Sequence, residues 1–184
     1  MIAYHAVTER PMHAGQRIIF DDAHHNGVYR RVCEKLPDVE AIYANPAGFD
    51  ADALEHHTAV ALRELALEEV RRAKYPQYPS RMACLYVSQT LEEAERWAAF
   101  FAQLGRPTYQ IVKLEIRGNC FTGDAELCFR GRTDRAENLC LAERYWAHAH
   151  DPDHPPAVCE MLVDGEIIVL EIIREIGANI TPEE

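Results

Sequence analysis

Two strand-like runs, VCEMLV and EIIVLEII, flank Asp164-Gly165 late in the chain, and no other stretch limits the fold as sharply. Asp-Gly is the dipeptide that best fits a two-residue turn matching the right-handed twist of antiparallel strands. The pattern predicts a hairpin carrying Glu160 on its first strand and Glu171 on its second. Side chains alternate along a strand, so Glu160, Leu162 and Asp164 share one face while Met161 and Val163 share the other. An inward Met161 would then turn Glu160 out to solvent.

A hairpin needs further elements to cover its apolar face, and the rest of the chain supplies candidates. IAYHAVT (residues 2–8) reads as a strand, and RPMHAGQRIIF as a turn followed by a short strand. Residues 27–36 read as a helix ending before Pro37. From Asp52 to Lys74, the apolar positions Leu54, Ala61, Leu62, Leu65, Ala66 and Val70 fall largely at helical spacing, which predicts the longest helix. Its charges Glu64, Glu68, Glu69, Arg71 and Arg72 then form a solvent face. YPQYPSR is a Pro-rich loop, and MACLYVS a short buried strand. Thr90 to Glu93 forms a T-x-x-E capping box that opens a helix stopping at Gly105. TYQIVKLEI reads as a strand and AENLCLAERYWAHA (residues 136–149) as an amphipathic helix. Helices and strands mix without βαβ alternation, so the fold class expected is α+β.

The chain has 184 residues, 48% of them apolar, enough to bury one core, and a single domain over 1–184 is expected. No run approaches the roughly 18 apolar residues of a membrane-spanning helix, and MIAYHAVTERPM lacks the features of a signal peptide. A cytoplasmic location is expected. Thirty acidic against 19 basic residues disfavour duplex nucleic acid as a partner, although a local basic pocket for a small ligand is compatible with an acidic chain. Cys33, Cys84, Cys120, Cys128, Cys140 and Cys159 show no C-x-x-C spacing and read as small buried hydrophobes. Asp21, Asp22, His24 and His25, with His56 and His57 further on, could suit a metal, but adjacent histidines point apart in regular structure and a solvated loop is the simpler reading.

Three segments line up with a known pattern. Tyr4-His5 is followed by Thr8 and by H-A-G-Q-R-I, LYVSQTLEEAERWA places Tyr86 at a strand end before a helix, and CEMLVDGEIIVLEI carries Glu160. In this order they resemble the ADP-ribosyltransferases of the His-Tyr-Glu class, across about residues 4 to 173. The chain also looks like an uncharacterised bacterial family with a domain-of-unknown-function label. The resemblance implies an ADP-ribosyltransferase-like fold, with split mixed or antiparallel sheets flanked by helices. It implies NAD as substrate, His5, Tyr86 and Glu160 as the catalytic set, and His5, Thr8, Tyr86, Ala94 and Trp97 as NAD contacts. The acceptor is left open. Breaking the nicotinamide–ribose bond develops an oxocarbenium-like carbon, for which a carboxylate at Glu160 is the natural stabiliser. Aromatic faces at Tyr86 and Trp97 suit a cationic ring.

The three residues are then expected to meet at one pocket large enough for a dinucleotide. Each also has a plainer reading: His5 as a strand histidine, Tyr86 as a core aromatic, Glu160 as a solvated strand residue. Two departures from the class stand out. Thr8 lies three residues after His5, on the opposite face of a regular strand. Val158 stands where arginine-modifying toxins carry a second Glu, which disfavours arginine as the acceptor. A non-catalytic domain binding a nucleotide or small ligand on the same fold is the alternative.

Overall fold

The computed structural model describes residues 1–148 and 158–177. Among them are seven strands, β1 (Ile2–Val7), β2 (Arg17–Phe20), β3 (Leu85–Val87), β4 (Gln110–Arg117), β5 (Cys120–Asp124), β6 (Cys159–Val163) and β7 (Gly165–Glu175). Four helices accompany them, α1 (Gly27–Ala44), α2 (His56–Lys74), α3 (Leu91–Gln103) and α4 (Arg135–Ala147). The class is α+β, with two antiparallel sheets ordered β1-β4-β7-β2 and β3-β6-β5.

Local chemistry accounts for most element ends. The Asn26 side chain accepts from Val28 N to start α1, Glu55 accepts from the His57 and Thr58 amides to start α2, and Asp134 caps α4. Thr90 and Glu93 make the reciprocal capping box of α3, and Gly105 follows that helix with φ +70°. Helix α1 does not stop before Pro37 as the sequence suggested. Pro37 is exposed and removes one intrahelical hydrogen bond, at a cost of about 3 kcal/mol. Val39 and Ile42 beyond it stay in helical register with Val32, and burying two such side chains returns roughly 3–6 kcal/mol. The last residue of the helix expected at 136–149, Ala149, lies outside the described residues.

The main correction concerns Asp164-Gly165. Strands lie on either side of it, but they do not pair with each other: β6 pairs with β3 and β5, and β7 with β4 and β2. The dipeptide is the point where the chain crosses from one sheet into the other. Gly118-Asn119 makes the matching crossing between β4 and β5, directly alongside. Asn119 N donates to Asp164 Oδ1 at 2.7 Å, and Asp164 N donates to the Asn119 carbonyl at 3.2 Å. Segments 110–124 and 159–175 therefore form one long antiparallel ribbon, kinked in the middle, that belongs to both sheets. A second contact joins the sheets, where Tyr4 on β1 and Ser88 just past β3 exchange two backbone hydrogen bonds.

The sheets face each other across a core of Ala3, Val7, Val87, Val112, Leu114, Met161, Val163, Ile167 and Val169. Helices α2 and α4 cover the other face of the small sheet, where Phe121, Leu162, Tyr145 and Trp146 meet Leu67 and Val70. Helix α3 packs on the outer face of β1, its Ala94 and Ala98 allowing close approach to Ala6 and Ile111. The cysteines are free and only Cys84 is buried; Cys33, Cys120 and Cys140 are exposed, so the expectation of six buried thiols does not hold.

Candidate functional site

A buried polar cluster surrounds Arg81, at the end of the Pro-rich loop after α2. That loop is tied down at several points. Ser80 Oγ donates to Glu68, Arg71 donates to the Tyr78 carbonyl, and Asn26 Nδ2 donates to the carbonyls of Arg81 and Cys84. So anchored, Arg81 enters the space beneath the small sheet. Its Nε donates to Glu64 Oε2 at 2.9 Å, and its Nη1 to Glu160 Oε1 and to the Tyr145 hydroxyl, both at 2.6 Å. Tyr145 in turn donates to Glu160 Oε1 at 2.6 Å. The guanidinium carbon lies 5.5 Å from the Tyr86 ring centroid and 5.1 Å from that of Tyr145.

The residues singled out from sequence are distributed as follows. Tyr86 and Glu160, on β3 and β6, share one sheet face, because Tyr86 pairs with Leu162 and alternation returns to Glu160 two residues away. Both flank Arg81. Met161 faces the core between the sheets, as a regular strand requires, yet Glu160 is not thereby turned out to solvent. Helices α2 and α4 cover its face too, and its side chain is only 12% exposed. His5 sits at the seam between the sheets, its Nδ1 2.7 Å from the Tyr86 carbonyl. A carbonyl only accepts, so Nδ1 carries the proton. Along β1, His5 alternates with Tyr4 and Ala6 and shares the face of Ala3 and Val7, toward the inter-sheet core rather than toward Arg81. The structure thus brings Tyr86 and Glu160 together and joins His5 to them through the backbone of Tyr86.

Thr8 follows directly on the end of β1 and is half-buried. Ala94 and Trp97 belong to the α3 cluster on the outer face of β1, where Trp97 stacks on Phe101 with centroids 5.6 Å apart. Tyr86 and Trp97 therefore lie in separate clusters, on either side of the β1–β3 seam. Among the described residues, a cavity of about 350 Å³ lies between α1 and the start of α2, and another of about 200 Å³ between α2 and residues 128–130. Neither is lined by His5, Tyr86 or Glu160.

A family model described as Protein of unknown function (DUF2441) matches residues 3–175. The chain belongs to this family. The match takes in both crossings of the kinked ribbon and every residue of the Arg81 cluster. No curated protein matches the chain.

In this DUF2441 chain the electrostatics of the cluster are self-consistent. Burial opposes the charge on Arg81, but Glu160 and Glu64 outweigh it and hold the guanidinium protonated, its pKa raised well above normal. Burial likewise works against ionised Glu64, and the Arg81 and Arg63 guanidinia overcome it, leaving the carboxyl below its usual range. Burial raises the Tyr86 and Tyr145 phenols well above 10, so both remain neutral donors. Buried Arg81 and half-buried Arg63 face buried Glu64 and half-buried Glu160, and every buried side-chain nitrogen and oxygen among the described residues has a partner. Chemically, the cluster presents an oriented carboxylate backed by a phenol and a guanidinium, beside aromatic faces.

Sequence reasoning missed Arg81, Tyr145 and Cys128, whose sulfur accepts from Arg81 Nη2 at 3.4 Å, and it misplaced Glu64, Glu68 and Arg71 on a solvent face. Glu64 and Glu68 belong to no solvent face: Glu64 is 1% exposed, and Glu68 binds Arg71, Arg72 and Ser80. The available signal was that Glu64 and Glu68 interrupt the apolar stripe of α2 four residues apart. An arginine beside the apolar run MACLYV was the second half of it. The Asp21 cluster is a turn, with Asp21 Oδ1 accepting from the Ala23 and His24 amides and facing His24 Nδ1. Among the described residues, no group of three His, Cys, Asp or Glu is placed to hold a metal. No helix among them is long and apolar enough to cross a membrane.

Proposed function

We propose that this protein acts on the nicotinamide–ribose bond of NAD, by ADP-ribosyl transfer or hydrolysis, with Glu160 as the carboxylate opposite the developing positive charge. The observation that supports this reading is the meeting of Tyr86 and Glu160. Although far apart in sequence, they flank one cluster, with the His5 ring fixed to the Tyr86 carbonyl. The resemblance to the His-Tyr-Glu class names these two residues, in this chain order, together with His5, whose ring faces the inter-sheet core and touches only the Tyr86 backbone among them. In this reading Glu160 stabilises the oxocarbenium-like carbon and holds a ribose hydroxyl, and Tyr86 lends a π face to the leaving nicotinamide. Catalysis on these lines requires Arg81 to release one oxygen of Glu160 and to uncover the Tyr86 ring when NAD binds.

A second reading is favoured by a specific contact. Glu160 is already neutralised by Arg81 and hydrogen-bonded by Tyr145, which suits a domain that binds a nucleotide or other small ligand without turning it over.

Incubation with NAD and measurement of nicotinamide release separates the two. Turnover by wild type that falls on the order of a hundredfold in Glu160→Gln supports the catalytic reading. Binding of NAD without release supports the second, and absence of both overturns each. Glu160→Gln also removes the charge opposite Arg81, so a stability loss of about 1–3 kcal/mol is expected and rates must be scaled to folded protein.

A further inference from the structure

We infer that the cavity between the start of α2 and residues 128–130 is a binding site for a small oxyanion, the phosphate or carboxylate group of a metabolite. The inference stands apart from the NAD reading. The cavity is lined by His56, Ala59, Val60, Arg63, Cys128, Phe129 and Arg130. The chain carries a net charge of −11, yet none of these residues is acidic and three can carry positive charge. A cationic concavity in an anionic molecule concentrates small anions locally.

Charge balance shows which cation is available. Arg63 and Arg81 are matched by Glu64 and Glu160. Arg130 donates to the Leu54 carbonyl at 2.6 Å and has no carboxylate partner among the described residues, so among those residues the positive charge it brings to the cavity is uncompensated. Arg63 also lines the cavity. Its Nε and Nη2 bind Glu64, while Nη1 makes only a 3.4 Å contact with the Phe129 carbonyl. Of its five N–H groups, two therefore remain for an acceptor in the cavity, and the fork geometry suits a planar or tetrahedral oxyanion. The helix N-terminus is not the recognition element, because Glu55 already takes the His57 and Thr58 amides.

The wall opposite α2 is held in place before any ligand arrives. Asn138 accepts from Arg132 N and donates to the Arg132 carbonyl, at 2.9 and 2.7 Å, and the Arg63 and Arg130 contacts secure residues 129 and 130. Such preorganisation lowers the ordering cost of binding. Val60, Ala59 and Phe129 supply apolar walls for the carbon part of the ligand. At about 200 Å³ the cavity is too small for a dinucleotide and suits one anionic group with a short attachment.

The test is titration of the whole protein with inorganic phosphate and, separately, with acetate at low ionic strength, followed by calorimetry and by amide chemical shifts. Saturable binding of one probe is expected, with shifts centred on residues 56–63 and 128–130; which probe binds tells phosphate from carboxylate recognition. Arg130→Gln, at an exposed position, weakens binding at least about tenfold, the scale of one charge-assisted hydrogen bond. Val60→Glu abolishes it by placing a carboxylate in the cavity. Arg96→Gln, a surface arginine on α3, leaves it unchanged. Saturation by neither probe overturns the inference. Equal weakening by Arg96→Gln and Arg130→Gln also overturns it, because binding would then follow overall charge.

Discussion

His5 is held in its neutral form, with a single ring proton. Burial pulls its pKa from 6.5 down to about 4; the hydrogen bond to the Tyr86 carbonyl opposes that pull, and the Arg106 charge adds to it. In the unfolded chain the imidazole takes up a proton below about pH 6.5, whereas in the folded protein it resists until about pH 4. The unfolded state therefore binds more protons in that window, and stability falls as pH drops from 6.5 to 4 while being unaffected above it. The ceiling on this loss is about 3 kcal/mol, reduced because His5 is only half-buried. His5→Gln retains a donor for the Tyr86 carbonyl and has no proton to gain. Urea midpoints measured from pH 7.5 to 4 should fall more steeply for wild type than for His5→Gln. Parallel curves would show that His5 titrates normally. None of this was legible at residue 5: a histidine between Tyr4 and Ala6 is compatible with a solvated or a buried strand face.

At the scale of elements, the sequence was readable where the determinant is local and misleading where it is not. Thr90 with Glu93 specifies the start of α3 through bonds made within four residues, and that start is found. Asp164-Gly165 is an equally local signal, but the partner of β6 is chosen by β3 and β5, and that of β7 by β4 and β2. Gly165 does serve a backbone need, with φ +74°, at a crossing rather than a hairpin. A Cβ there would strike the Arg117 carbonyl oxygen, and one at Gly118 the Asp164 carbonyl oxygen. Gly165→Ala therefore combines a left-handed backbone with a clash against main chain that cannot swing aside. A loss of more than about 2 kcal/mol is expected, against about 1 kcal/mol for an ordinary exposed glycine replacement. Denaturation midpoints of Gly165→Ala and Gly105→Ala provide the comparison, since Gly105 also has positive φ but open space around its Cα. Equal losses would mean that the crossing is not tightly packed. Glu64 is the same lesson on a helix: its burial depends on Arg81, seventeen residues on, and α2 alone gives no sign of the cation it meets.

Over the whole molecule, β6 and β7 occupy inner positions in different sheets, β6 between β3 and β5 and β7 between β4 and β2. Removing residues from 159 onward would strip the middle strand from one sheet and an inner strand from the other. Ending the chain at Asp164 instead removes β7 alone and should abolish cooperative unfolding by circular dichroism, whereas a molecule whose sheets folded independently would keep a transition for β3-β6-β5. The α+β class and most elements could be read from composition and periodicity. The joining of two sheets by one ribbon could not, because it depends on pairings separated by most of the chain.

The kinked ribbon also has a consequence for biosynthesis. The strands that complete both sheets come after the other five, so a ribosome has delivered β1 to β5 before either layer can close. Until then β3 and β5 lack the strand that lies between them, and β4 and β2 the one that joins them, leaving hydrogen-bonding edges open on apolar strands. A nascent chain of this design keeps those edges exposed to chance pairing until β6 and β7 have both emerged.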